Sequence, residues 1–142
     1  MFSFISVLYN MNIYIKSAKE FALNEIEKYG LPTLVNFELS EQKAIELVHK
    51  LNANETIVTL GVYLMDCKLG QAFSEKRVTE HVQMSVEASE EFLKQFDLTR
   101  DDKAKILNCV AAHHGTVPYS CIEAEICANA DCYRFISPKG VF

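Results

Sequence analysis

Acidic and imidazole side chains lie at the ends of, or inside, apolar helical segments at three places in the sequence. These are Asp66, the pair His113-His114, and Asp131. A carboxylate that interrupts an apolar run is costly to bury unless it is paired or coordinated. The simplest shared partner is a divalent metal ion, because imidazole and carboxylate ligands together suit Mn, Fe, Zn, Co, Ni or Mg.

His81 adds a further ligand-type side chain near the start of another helical segment. Four predicted helices could therefore direct nitrogen and oxygen ligands into one cavity. The sequence predicts a metal-ligand set of Asp66, His81, His113 and Asp131.

Each of these residues also has a structural interpretation without a metal. Asp66 could pair with Lys68, and Asp131 could pair with Arg134, three residues later on the same helix. The histidines could lie at the surface or stabilise helix ends, since positive charge suits the C-terminal end of a helix.

The elements that must position these residues follow from the spacing of apolar side chains. Three- and four-residue spacing predicts an all-α, single-domain bundle of five to seven helices. The segment before Asp66 is apolar on most sides, which is typical of a central, buried helix. The predicted helices cover residues 17–29, 33–51, 55–67, 76–95, 100–113 and 120–136, and residues 69–75 are predicted as a loop.

Composition limits the class of protein. The chain has 142 residues, 49% of them hydrophobic, which is enough for one domain with a real core. The net charge is −5 and the basic residues are scattered, so nucleic acid is not expected as a partner. The five cysteines form no CxxC pair, which favours buried thiols in a reducing cytoplasm over a disulfide framework.

The N-terminal stretch Met1–Tyr9 is apolar but too short to span a bilayer, and it lacks the features of a signal peptide. Residues 1–14 are therefore predicted as a peripheral segment and 15–142 as the helical domain, with no membrane partner. The short segment Ile136–Phe142 could leave an apolar edge of the bundle uncovered, which would make a homodimer plausible.

Four segments, in this order and spacing, resemble HD-domain metal-dependent phosphohydrolases. The resemblance extends over Thr33–Ile136, so it implies an HD-type helical domain for residues 15–142. The segments are Gly61–Asp66, similar to the apolar run into the family's His-Asp pair; Glu80-His81; Cys109–Gly115, similar to a later His motif; and Glu123–Asp131, similar to the segment with the last Asp.

Two positions depart from the family pattern. The His of the His-Asp pair is Met65, and counting back to the first family His leads to Asn36, while His49 lies too late in its helix. Asp66 and Asp131 remain from the family's first metal position. In two-metal relatives a second ion is held by the bridging Asp and later histidines, and Asp66, His81 and His113, with His114 as an addition, resemble that second position.

The resemblance implies a phosphohydrolase in which a metal-activated water attacks a phosphate ester, such as a nucleotide or another phosphorylated small molecule. Asp66 would be central to catalysis, and Lys68 or His114 could assist the leaving group. The alternative is a catalytically inactive HD fold that binds a nucleotide or a protein. A third possibility, a plain helical interaction domain, would require the ligand-type residues to be scattered.

Overall fold

The computed structural model describes residues 3–136 (for Leu8, the backbone only) and confirms an all-α bundle. Within this range there are seven α-helices, one short 3-10 helix and no strand. The α-helices are α1 (Phe4–Tyr29), α2 (Leu34–Leu51), α3 (Glu55–Met65), α4 (Leu69–Ser74), α5 (His81–Leu93), α6 (Arg100–Ala112) and α7 (Ile122–Tyr133), and the 3-10 helix is Val78–Glu80.

Helix α3 is the central element, as its all-round apolarity predicts. Every residue from Ile57 to Met65 is buried, and α3 contacts α1, α2, α5, α6 and α7. A helix that is apolar on all sides loses contact with water only where neighbours surround it. The residue that follows it, Asp66, is therefore carried into the middle of the bundle.

Side-chain caps fix where three helices begin. Thr33, Asn54 and Thr99 each accept a hydrogen bond from a backbone N–H three residues later, at the starts of α2, α3 and α6. Such caps satisfy a donor that would otherwise be orphaned and are worth about 1 kcal/mol each. Asn and Thr are preferred residue types at helix N-caps, so the sequence alone marks Asn54 and Thr99 as candidates for this role, and both fill it.

Helix α1 begins much earlier than the predicted start at residue 17. It is continuous across the predicted division between residues 14 and 15, and Phe4 and Ile5, near its beginning, are both 78% exposed. Tyr14 is buried, with its ring centroid 4.4 Å from that of Phe96, and its hydroxyl accepts a hydrogen bond from the Asp97 N–H. Contacts distant in sequence thus order a stretch whose own pattern predicts no helix.

The prediction of a loop over residues 69–75 is wrong, because helix α4 lies there, packed against α1 and α5. Gly70 permits the close approach: a Cβ at this position would lie 2.6 Å from Tyr29 Cβ and 2.7 Å from the Leu31 carbonyl oxygen. The predicted long helix over 76–95 is also shorter, because a 3-10 turn precedes α5.

All five cysteines are free thiols; Cys67, Cys109 and Cys127 are buried, Cys121 is half-buried and Cys132 is exposed. Within residues 3–136, none of the helices combines the length and apolar character needed to cross a bilayer. The expectation about an uncovered edge falls mostly on residues 137–142, which lie outside the described range.

Substitution of Gly61 by Ala is expected to destabilise the bundle. A Cβ at residue 61 would lie 2.5 Å from Cys109 Cβ and 2.9 Å from Cys127 Sγ, in the fully buried contact between α3, α6 and α7. Overpacking of this kind costs about 1–3 kcal/mol. The free energy of unfolding from urea titration should fall by this amount for Gly61→Ala, whereas Thr56→Ala on the same helix should change it by less than about 0.5 kcal/mol.

Candidate metal centre

Three helix boundaries deliver ligand-type side chains to one point. Asp66 ends α3, His81 is the first residue of α5, and His113 and His114 directly follow α6. One ligand atom from each of these four residues lies within 4.8 Å of the other three. The structure thus has a possible metal-binding group of one carboxylate and three imidazoles.

The shortest distances within this group are close to those between atoms that share one ion. His113 Nε2 lies 3.2 Å from Asp66 Oδ1, His81 Nε2 lies 3.6 Å from the same oxygen, and His81 Nε2 lies 3.0 Å from His114 Nε2. Two ligand atoms, each about 2.1 Å from an ion, are about 3.0–3.4 Å apart in octahedral or tetrahedral coordination.

Backbone carbonyls fix the tautomers of two of the histidines. His81 Nδ1–H donates to the Val78 carbonyl at 2.7 Å, and His113 Nδ1–H donates to the Val110 carbonyl at 2.6 Å. In a neutral imidazole the other nitrogen then carries the lone pair. Both Nε2 lone pairs are therefore available beside the Asp66 carboxylate, the arrangement that metal-ligating histidines generally show.

The chemistry of this donor set fits a divalent cation. An imidazole lone pair and a carboxylate oxygen repel each other at these distances unless a proton or a cation lies between them. Asp66, His81, His113 and His114 would be the residues that hold such an ion, and mixed nitrogen and oxygen ligands do not single out one metal.

The local charges shift the pKa values of the buried members. Burial acts to raise the pKa of Asp66, but the hydrogen bond and charge of His113, with help from Arg134 and His81, outweigh it and lower the pKa. Burial acts to lower the pKa of His113, but the hydrogen bond and charge of Asp66 outweigh it and raise the pKa. Burial and then the charge of His113 lower the pKa of His114.

Asp131 lies next to the four-residue group rather than within it. Its Oδ2 is 3.9 Å from His114 Nδ1, and its Oδ1 is 3.6 Å from a terminal nitrogen of Arg134. Burial and the charge of Asp66 raise the pKa of Asp131 to about 6. The predicted helical pairing of Asp131 with Arg134 is therefore present. The group whose ligand atoms lie within 4.8 Å of one another includes His114 and does not include Asp131.

The remaining predicted residues lie in other surroundings. The Lys68 ammonium forms an ion pair with Glu25 at 3.1 Å and lies 5.6 Å from the centre of the Phe21 ring. Lys68 does not form the alternative pair with Asp66 among the contacts of the described residues. His49 is exposed, with its nearest acidic partner Glu55 at 3.7 Å.

The two positions that depart from the HD pattern lie on the other side of Asp66. Met65 is buried, and Asn36 is half-buried. Both line a pocket together with Asp66, Ser40 and Arg134. The thioether of Met65 is a soft ligand that hard cations disfavour, so this side of Asp66 lacks the donors that the family pattern would supply.

Sequence reasoning missed two features of the site. The carbonyls of Val78 and Val110 each lie three residues before the histidine that they orient, a spacing that no side-chain pattern marks. The sequence predicts Arg134 only as a partner of Asp131, yet its guanidinium also lies near Asp66, with Nη1 3.7 Å from Oδ2. The i,i+3 spacing predicts the contact of Arg134 with Asp131, whereas only the tertiary structure reveals its contact with Asp66.

Comparison with known proteins gives one distant relative. The chain is 30% identical over 92 residues to ribonuclease Y of Finegoldia magna, and the match covers 65% of this chain but 16% of that protein. The chain thus corresponds to a small part of that relative. No family model and no solved structure gives a significant match.

The stability of the metal-free protein is expected to fall as pH rises above about 6.5, the ordinary pKa of histidine. His113 has a raised pKa in the folded state, so the folded protein binds more protons than the unfolded chain in this range. Its contribution is complete below the unfolded pKa and is lost as pH rises through the folded pKa. Thermal unfolding in EDTA should show this decline.

A His113→Gln variant should lose this part of the pH dependence, even if its melting temperature is lower throughout. Saturating Mn²⁺ should reverse the trend for the unmodified chain, because metal ligands must be deprotonated and metal binding strengthens as pH rises. A melting temperature that rises with pH in EDTA would contradict the raised pKa of His113.

Proposed function

We propose that this chain is a divergent HD-domain protein that hydrolyses a phosphate ester with the help of one divalent metal ion. The observation that carries the proposal is the pair of imidazoles whose Nδ1–H groups are held by backbone carbonyls while their Nε2 atoms lie at Asp66 Oδ1. The Nε2 lone pairs of His81 and His113 and the Asp66 carboxylate thus face the same point.

Two further observations support the HD relation. The bundle places the end of its most buried helix, the first residue of α5 and the end of α6 together, in the order that the family resemblance implies. The similarity to part of ribonuclease Y, a protein that has an HD domain, agrees with that relation at weak identity.

A divalent ion bound at this group would supply Lewis acidity, which lowers the pKa of water and offsets negative charge on phosphoryl oxygens. The chain's own residues would hold and orient that ion. Asp66 and His113 are buried, while the His114 side chain is 35% exposed and borders the solvent. A substrate would therefore approach from the His114 side.

His114 has a second role open to it in this scheme. Its lowered pKa keeps the imidazole neutral near pH 7, so it would serve as a ligand or accept a proton from water more readily than it would donate one to a leaving group. The leaving-group role proposed for Lys68 would require the ammonium to release Glu25.

The proposed substrate is a nucleotide or another phosphorylated small molecule. The net charge of −5 disfavours a polyanion, because binding of nucleic acid depends on neutralising phosphates with basic residues. Because the distant relative is named a ribonuclease, an assay must also include RNA as a comparison substrate.

The test is a hydrolysis assay on the metal-free chain reloaded separately with Mn²⁺, Co²⁺, Ni²⁺, Zn²⁺ or Mg²⁺. Substrates should include a chromogenic phosphomonoester, a phosphodiester, a nucleotide panel and an RNA oligonucleotide. Activity should appear with at least one metal and fall by about 10²–10⁴-fold in Asp66→Asn and His113→Asn, the range typical for loss of a catalytic group.

His49→Ala is the matched control, because it removes an exposed histidine outside the cluster. Its activity and metal content should equal those of the unmodified chain. Absence of bound metal and of turnover under every condition would overturn the proposal.

The second candidate is an inactive HD fold that binds a nucleotide or a protein partner, and the side of Asp66 with Met65 and Asn36 favours it. This candidate predicts that nucleotides raise the melting temperature without being hydrolysed. The same assay mixtures, analysed for turnover and for thermal shift, separate the two candidates.

A further inference from the structure

Arg134 lies between the two carboxylates that remain from the family's first metal position. Its Nη1 is 3.7 Å from Asp66 Oδ2, and its Nη2 is 3.6 Å from Asp131 Oδ1. The side chains are 13%, 8% and 1% exposed for Arg134, Asp66 and Asp131 respectively. One guanidinium thus faces two buried acids from different helices.

The two acids need a positive charge on this side. Carboxylates that approach each other in a poorly solvated interior repel strongly unless a cation separates them. In the family pattern that cation is a metal, held with the help of two histidines. Here those positions are Asn36 and Met65, a weak amide donor and a soft thioether, so the two acids lack the imidazole ligands that would complete a metal site on this side.

A guanidinium meets the same requirement without any added ligand. It carries a permanent charge, and its planar fork can address two carboxylates at once. The distances are those of ion pairs rather than hydrogen bonds, and among the described side chains Asp131 Oδ1 and Arg134 Nε are buried without a hydrogen-bond partner. Charge, rather than a tight hydrogen-bond network, is what links the three groups.

We propose that Arg134 is a built-in cation that replaces a metal ion between Asp66 and Asp131, so that the site takes at most one divalent ion, at the histidine side of Asp66. Arg134 is a positioning residue in this scheme. The Arg134 guanidinium pairs with Asp66 Oδ2, while Asp66 Oδ1 faces His81 and His113. The limit of one ion rests on the proposed function, whereas the pairing of Arg134 with the two acids does not.

The first arm of the test measures thermal unfolding in EDTA for the unmodified chain, Arg134→Met, Arg134→Lys and the double variant Asp131→Asn/Arg134→Met. Loss of a partner from a buried ion pair should lower the melting temperature of Arg134→Met by about 5–15 °C. Arg134→Lys should lose less, because the charge remains. The double variant should melt above Arg134→Met, because one of the two stranded acids is neutral.

Equal melting temperatures for Arg134→Met and the unmodified chain would overturn the proposal. So would a double variant no more stable than Arg134→Met, since the loss would then come from packing and not from charge. If Arg134→Met does not fold, the double variant Asp131→Asn/Arg134→Met decides the test. A folded double variant supports the proposal, and an unfolded double variant contradicts it.

The second arm measures Mn²⁺ bound per chain by elemental analysis after equilibrium dialysis, and the thermal shift that Mn²⁺ produces. The unmodified chain should bind one ion, and Mn²⁺ should stabilise Arg134→Met more than it stabilises the unmodified chain, because a cation can then enter between the acids. Two ions per unmodified chain would overturn the proposal. No ion at all would refute the proposed function, and the EDTA arm would still decide the role of Arg134.

Discussion

The Asp66 carboxylate is the group on which the rest of the site depends. One oxygen faces His113 and His81, and the other faces Arg134. A carboxylate this deeply buried is costly unless opposite charge or hydrogen-bond donors surround it. The bundle offsets that cost by bringing His81, His113 and Arg134 to Asp66 from three other helix ends. The same contacts therefore stabilise the fold and form the site.

The fold explains how such a buried charge is reached. Helix α3 is surrounded by five other helices, and Asp66 follows directly after its last residue. Helix ends carry unsatisfied backbone groups and allow side chains to turn inward, which suits them to present ligands. The carbonyls of Val78 and Val110, each three residues before its histidine, hold His81 and His113 in the orientation that a metal would require.

The two sides of Asp66 differ in chemistry. The histidine side offers nitrogen lone pairs and borders solvent at His114, while the Arg134 side carries a fixed positive charge and is lined by Met65 and Asn36. The divalent ion that we propose would therefore bind at the histidine side. Under our proposal, the Arg134 guanidinium provides the positive charge on the side of Asp66 that Asn36 and Met65 line.

The sequence by itself determined the helical class, the burial of α3 and the caps at Asn54 and Thr99, because apolar periodicity and capping residues are local signals. It predicted a ligand group of Asp66, His81, His113 and Asp131, with His114 as an addition, whereas the structure groups the first three with His114. The sequence did not determine α4, the early start of α1 or the double contact of Arg134. Helix α4 depends on the close contact of Gly70 with Tyr29, and the early part of α1 on the packing of Tyr14 against Phe96. The double contact of Arg134 joins two acids that are 65 residues apart in sequence. Only the tertiary structure decides such contacts, since the energy that favours them comes from partners that no local pattern specifies.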